Sequence, residues 1–259
     1  MKAKLFSVSD TGVINLDGDW GEKFASSVTG KLVTYSIEKN SDNRAQNIKL
    51  LPDGNEFDLS GTHFTMKIPG TFSVYNGAAA ICVCRSLGVC DETIAAGLAA
   101  SKGAKGRAEV VDVPADFKVV IDYAHTPDGL LNILSTIKKF APSRILCVFG
   151  AAGERDAIKR PEMGKIVGSY TDMAIITADN PINENLETIC AQVEEGMKET
   201  ACPYKIIYDR EEAIKTILSL AQPGDTVLLA GKGHEAYQLI GDEKIPFSET
   251  DIVLNYFKN

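Results

Sequence analysis

From residue 118 onward, short apolar runs rich in valine and isoleucine recur between amphipathic stretches. The runs at 118–122 (KVVID), 145–149 (ILCVF), 173–177 (MAIIT), 205–208 (KIIY) and 226–230 (TVLLA) lack polar alternation. That is the pattern of strands buried on both faces of a parallel sheet. Between them, Leu130, Ile133, Leu134 and Ile137 recur at helical spacing after Thr126 and Pro127, a cap residue followed by proline at the first helical position. Met163, Ile166, Val167 and Tyr170 follow Pro161 in the same way, and Leu186, Ile189, Val193 and Met197 form a third stripe. Asp209 with Glu212 reads as a capping box ahead of Ala213, Ile214, Ile217 and Leu218. Strand and helix alternating over this length predict a doubly wound α/β domain.

The first hundred residues read differently. Strands are expected within GVINLDG (12–18), KLVTYSI (31–37) and GTHFTMKIPG (61–70), with turn signals at Gly12, Asp53 with Gly54, and Gly61. Helices follow around 72–87 and 91–99, and SKGAKGRAEV (101–110) has the Gly, Lys and Ala content of a linker. A domain boundary is expected near residues 106–107, giving domains 1–107 and 108–259.

Composition narrows the classes. The 259 residues are 44% hydrophobic and 24% charged, ordinary for one large or two modest globular domains. A net charge of −8 argues against non-specific nucleic-acid binding, which needs a basic footprint. Six cysteines (Cys82, Cys84, Cys90, Cys147, Cys190, Cys202) form no C-x-x-C pair or zinc-type cluster, so buried reduced thiols are expected. MKAKLFSVSD has no apolar core of a signal peptide, and GAAAICVCRSLGVC is interrupted by Arg85 and too short for a bilayer. The expectation is a soluble, cytoplasmic chain with no membrane partner.

Polar residues collect where four of the runs end. DYAHTPD (122–128), GAAGERD (150–156), TADNP (177–181) and AGKGHE (230–235) each follow an expected strand. The carboxyl edge of an open parallel sheet is where ligands bind. The edge would carry Asp122, His125, Arg155, Asp179, Asn180, Lys232, His234 and Glu235. Arginine pairs bidentately with a carboxylate and Asp or Glu holds an ammonium, so both signs together suit a zwitterion such as an amino acid. Taken singly, His125 could pad a helix start, Asp179–Asn180–Pro181 could initiate a turn, Gly231 and Gly233 could be a tight strand-to-helix turn, and Arg155 with Lys159 could be a solvated basic face. Four such coincidences at one edge are harder to accept than any one. The sequence contains no G-x-x-x-x-G-K-[ST] phosphate loop.

In order along the chain, KAKLF, VINLDG, PGTFSVYN, GRAEV, DYAHTPDGL, GERDAIKRPEMG, TADNP and AGKGHEAYQ resemble the Mur ligases, on the tripeptide-synthetase branch. The resemblance spans essentially the whole sequence. It implies a fold in which part of a central ATPase domain precedes a Rossmann-like, doubly wound C-terminal domain. Residue 1 aligns after the family's phosphate loop, which implies a chain without the UDP-sugar domain, inactive until a missing N-terminal half is supplied. The implied chemistry is amide formation using ATP and Mg2+: the D-glutamyl carboxylate of UDP-MurNAc-L-Ala-D-Glu becomes an acyl phosphate and the amine of a diamino acid attacks it.

By the same resemblance, Lys2 matches the lysine that the family carbamylates to hold magnesium. Asn76 and Arg107 match positions around the nucleotide, and Asp122 with His125 match the motif facing it. Arg155, Asp179, Asn180, Pro181, Ile182, Gly231 and Glu235 match the amino-acid site, with Arg155 pairing an α-carboxylate and Glu235 receiving an ammonium. Ser73 stands where the family often has Asn, and Ala157 replaces a lysine. Diaminopimelate-adding members read D-N-P-R, whereas the fourth residue here is Ile182. Isoleucine cannot pair a second carboxylate, so a diamino acid without one, L-lysine, is expected. A non-catalytic module that binds an amino acid or a partner is the alternative; TADNP together with AGKGHE speaks against folylpolyglutamate or cyanophycin synthetase.

Overall fold

A computed structural model describes residues 3–51, 54–139, 141 and 143–258. The chain divides between Lys102 and Gly103 into two compact units.

The N-terminal unit comprises α1 (Ala3–Phe6), β1 (Thr11–Asn15), α2 (Gly21–Ala25), β2 (Lys31–Ser36), β3 (Asn43–Leu51), β4 (Gly54–Leu59), β5 (Thr62–Met66), α3 (Thr71–Ser86) and α4 (Asp91–Ala100). Its five strands lie in sequence order, β1, β2 and β3 parallel and β4 and β5 antiparallel. Phe57, Leu59, Phe64 and Met66 pack against Val74, Ala78, Ile81 and Cys82 of α3 and Ile94 of α4. The expected strands and helices form, but β3 and β4 stand where only a turn was foreseen. Asp53, half of that turn signal, lies outside the described residues.

The C-terminal unit continues with β6 (Glu109–Val111), β7 (Lys118–Asp122), α5 (Pro127–Lys138), β8 (Ile145–Phe149), α6 (Lys159–Tyr170), β9 (Met173–Ile176), α7 (Leu186–Met197), β10 (Tyr204–Ile206), α8 (Arg210–Leu220), β11 (Thr226–Ala230), β12 (Tyr237–Ile240), β13 (Glu243–Pro246) and α9 (Glu249–Tyr256). The sheet order is β10-β9-β8-β11-β7-β6, parallel except for β6. Alternate strand residues Val119, Ile121, Leu146, Val148, Ile175, Val227 and Leu229 share one core with Ala213, Ile214, Ile217 and Leu218 of α8 and Val253 of α9. The intervening Ile145, Cys147, Phe149, Ala174, Ile176 and Leu228 are equally buried, so both faces are covered, as the unbroken apolar runs require. The chain steps outward from β8 to β10 and then returns to insert β11 beside β8. That reversal is the switch point at which a doubly wound sheet opens a crevice.

Two expectations need correction. AGKGHE does not turn into a helix: β11 is followed by a loop and the antiparallel β12–β13 hairpin. All six thiols are free, but only Cys82, Cys147 and Cys190 are buried; Cys84 and Cys202 are half-buried and Cys90 is exposed. Cys90 precedes the first turn of α4, where the chain is leaving the core. No helix among the described residues is long and apolar enough to cross a membrane.

Candidate functional site

The last residues of β9 and β11 deliver two loops to the crevice. After β9 the chain continues through Thr177 and Ala178 to Asp179 and Asn180. After β11 it passes Gly231 (φ +115°), Lys232 and Gly233 (φ +54°). Only glycine takes the first of these conformations without strain. Space is tight as well, since a Cβ on Gly231 would sit 3.1 Å from Asp179 Oδ2 and would press on that carboxylate.

Lys232 is fully buried. Its ammonium donates to Asn180 Oδ1 at 2.7 Å and to Glu235 Oε2 at 2.6 Å, and lies 3.6 Å from Asp179 Oδ1. A buried ammonium persists only with partners of this kind. Asn180 is held from three sides: its Nδ2 donates to Glu235 Oε2 at 3.0 Å, and its Oδ1 also accepts from the Leu239 amide at 2.9 Å. Tyr123 Oη donates to Glu235 Oε1 at 3.2 Å. Burial pushes the Glu235 carboxyl up, but the Lys232 ammonium and the Asn180 amide outweigh it and leave the group below its ordinary value. Burial, reinforced by the Glu235 carboxylate, raises the Tyr123 phenol and keeps it a donor. Two carboxylates, Asp179 and Glu235, thus face one ammonium.

The 177–185 loop is pinned on both flanks. Toward the β8–α6 loop, the Gly153 amide donates to the Asn180 carbonyl at 2.8 Å, and Glu184 pairs with the buried guanidinium of Arg160, NH2 to Oε2 at 2.7 Å. Toward the hairpin, the Ile182 amide donates to the Leu239 carbonyl at 3.2 Å, and the Gly241 amide donates to the Ile182 carbonyl at 2.8 Å. Ile182 has φ +56°, a left-handed conformation that is unfavourable for a β-branched side chain.

The remaining expected residues are placed as follows. Asp122, at the end of β7, accepts from the Ala108 amide at 2.7 Å and the Ala124 amide at 2.8 Å; burial raises its carboxyl against the pull of those two donors. His125 is exposed, and its Nδ1 donates to the Tyr123 carbonyl at 2.7 Å, while Thr126, not His125, caps α5. Arg107 is exposed and lies over the Tyr123 ring, 5.0 Å from its centroid. Arg155 is exposed on the β8–α6 loop with no ion pair among the described residues. Pro181 is buried. Asn76 is an exposed residue of α3 in the N-terminal unit. Lys2 lies outside the described residues.

The cluster therefore joins Asp179, Asn180, Gly231 and Glu235 of the expected set, and adds Lys232 and Tyr123. Position at the sheet edge was legible for both additions, but not their role, because burial of a lysine is invisible in a G-K-G string. Gln238, whose Nε2 donates to the Asp179 carbonyl at 3.1 Å, and Arg210 were missed altogether. Arg210 sits inside a stretch that a capping box already explains. Among the described residues no group of three or more His, Cys, Asp or Glu could hold a metal ion, so a magnesium donor set is not complete in these residues.

Comparison with known proteins agrees with this architecture. The family model "Mur ligase middle domain" matches residues 1–84, and "Mur ligase, glutamate ligase domain" matches residues 106–233. The UDP-N-acetylmuramoyl-L-alanyl-D-glutamate--2,6-diaminopimelate ligase of Caldanaerobacter subterraneus subsp. tengcongensis is 46% identical over 257 residues, covering 97% of this chain and 53% of the relative. The corresponding ligase 1 of Clostridium acetobutylicum is 40% identical, covering 99% of this chain and 55% of its own length. A solved UDP-N-acetylmuramoyl-L-alanyl-D-glutamate--2,6-diaminopimelate ligase superposes with a TM-score of 0.66 at 33% identity, over 99% of this chain and 55% of that one. The chain spans about half the length of the curated relatives it matches.

Proposed function

Because the chain belongs to the Mur ligase family, we propose that its C-terminal unit binds the incoming diamino acid of an ATP-dependent amide ligase acting on UDP-MurNAc-L-Ala-D-Glu. The observation that carries this reading is the Asp179–Asn180–Lys232–Glu235 cluster at the switch point of the sheet, with Asp179 and Lys232 buried and Asn180 and Glu235 half-buried. Its two carboxylates and one ammonium leave one negative charge in excess, which a ligand ammonium would balance. Glu235 already serves Lys232, Asn180 and Tyr123, so it receives a ligand ammonium through its remaining acceptor capacity rather than as an empty carboxylate. Arg155, exposed on the neighbouring loop with no ion pair among the described residues, is the cation for the α-carboxylate. Bound this way, the amino acid is oriented before its amine meets an activated carboxyl carbon.

ATP supplies the phosphoryl group that activates the acceptor carboxylate; Asn76, Arg107, Asp122 and His125 are the residues of this sequence assigned to its side of the reaction. Lys2, if carbamylated, would be the residue of this sequence that holds magnesium, which would offset charge on the transferring phosphoryl group. With no phosphate loop in the sequence, the 259 residues on their own are expected to bind the amino acid without turning it over.

The relatives' names point to 2,6-diaminopimelate, whereas Ile182 favours L-lysine. Its backbone is held by hydrogen bonds to Leu239 and Gly241, and an isoleucine at this position offers no partner to a second ligand carboxylate. Calorimetric titration of the chain with L-lysine and meso-diaminopimelate tests this. Tighter binding of lysine is expected, with Ile182→Arg moving the preference toward diaminopimelate by tenfold or more. Tighter binding of diaminopimelate by the unmodified chain overturns the lysine assignment.

A further inference from the structure

The two loops that form the cluster follow β9 and β11, and these strands are not neighbours: β8 lies between them. Backbone pairing therefore aligns each strand with β8 but does not pair the two strands with each other. Lys232, Asn180 and Glu235 join the loops at the cluster itself, and a further side chain spans the gap at their bases. Arg210, the first residue of α8, is fully buried and donates from NH1 to the Ala178 carbonyl at 3.2 Å and from NH2 to the Ala230 carbonyl at 2.7 Å. Ala178 and Ala230 immediately precede Asp179 and Gly231.

The guanidinium is in turn fixed by Glu249, the first residue of α9. Nε and NH2 both donate to Glu249 Oε1, at 3.0 and 2.8 Å, and both side chains are wholly inaccessible. Arg210 NH2 is also 3.9 Å from where a Gly231 Cβ would lie, so it closes the floor beneath the Asp179–Gly231 contact. A rigid planar fork can reach three acceptors in fixed directions, which a lysine ammonium on a flexible stem cannot reproduce. A buried ion pair contributes little to net stability compared with well-packed apolar groups; what this pair supplies is fixed geometry at the ends of two strands.

We propose that Arg210, oriented by Glu249, is a positioning residue that staples the Asp179–Asn180 loop to the Gly231–Glu235 loop and sets the spacing of the ammonium-binding cluster. This rests on the reading of that cluster as the amino-acid site, but the stapling itself is testable without a ligand. Arg210→Lys and Glu249→Gln would be made in the chain, with amide hydrogen exchange measured throughout. The Asn180 side-chain amide, which donates to Glu235, serves as an NMR reporter.

Exchange in 177–182 and 231–239 is expected to accelerate at least tenfold in Arg210→Lys, and by less in Glu249→Gln, while β7 and the interior of β8 stay protected. The Asn180 amide resonance should move in both variants, and L-lysine affinity should fall tenfold or more in Arg210→Lys. A uniform rise in exchange across the sheet marks a merely structural pair and overturns the proposal; so does an unmoved Asn180 resonance with unchanged loop exchange. If Arg210→Lys does not fold, Glu249→Gln decides by the same criteria. If the unmodified chain binds no amino acid, the site assignment fails while the exchange pattern still decides whether Arg210 is the staple.

Discussion

At the residue scale, the chemistry is carried by positions where conformation and charge are both constrained. Gly231 combines φ +115° with a missing Cβ that would crowd Asp179. Gly231→Ala should cost about 1–3 kcal/mol of stability from backbone strain alone and abolish amino-acid binding by displacing Asp179. Denaturant unfolding and calorimetry on one preparation check both, and an alanine variant of unchanged stability would contradict the geometry. Asp179, Asn180 and Glu235 were legible in the sequence because polar residues directly after apolar runs fall at the carboxyl edge of the sheet. Lys232 was legible at that edge too, though not in its role, and Arg210 was not legible at all. What makes them matter is complete burial against partners 52 and 39 positions away, Asn180 and Glu249, and no local pattern encodes that. Ile182 was legible as a chemical oddity, but its left-handed backbone and its tie to the hairpin emerge only from the fold.

At the element scale, glycine positions separate helix faces that press on a neighbour from faces that do not. Gly196 of α7 meets the Pro161 carbonyl and the Lys165 amide of α6, with a Cβ falling 2.7 Å from Lys165 N, so any side chain there must push two backbones apart. Gly196→Ala should destabilise by about 1–3 kcal/mol or more. Gly97, exposed in α4 with no atom near a built Cβ, predicts the opposite sign: Gly97→Ala should stabilise by roughly 0.5–1 kcal/mol through helix propensity. A matched pair of urea melts distinguishes the two. The same scale explains which elements the sequence concealed. β7, β8, β9 and β11 are fully internal and read as apolar runs. β3 (NRAQNIKLL) has mostly exposed or half-buried positions and a register shift between Gln46 and Lys49, with Asn47 at φ +50°. Its apolar residues therefore follow no clean period of two. The β12–β13 hairpin is concealed for a related reason, since β13 is exposed at every position and leaves no hydrophobic signature.

At the scale of the whole molecule, each unit carries a carboxylate held down by an arginine, and this makes acid stability separable unit by unit. In the N-terminal unit Arg85, with Thr62, draws the Asp91 carboxyl down to about 2, from an ordinary 3.8. In the C-terminal unit Arg160, with the Glu154 amide, draws Glu184 down to about 2, from 4.5. A carboxyl whose pKa is lower in the folded state stabilises the fold while it is ionised in both states. That contribution is full above the unfolded pKa and is lost as pH falls toward the folded one. The window is therefore about pH 4.5 to 2 for Glu184 and about pH 4 to 2 for Asp91. Glu184→Gln should lower stability at neutral pH and flatten the acid dependence of the C-terminal unit only; Asp91→Asn should do the same for the N-terminal unit. Trp20 is the sole tryptophan in the sequence and lies in the N-terminal unit, so its fluorescence reports that unit while far-ultraviolet circular dichroism is dominated by the larger one. Urea unfolding followed by both signals from pH 7 to pH 2 should show each substitution changing one transition and leaving the other in place. Because Glu184 also ties the 177–185 loop to Arg160 beside the candidate site, Glu184→Gln should weaken L-lysine binding at pH 7 as well, whereas Asp91→Asn should not. Equal loss of binding in both variants would mean that the loop is held by the fold as a whole rather than by its own ion pair.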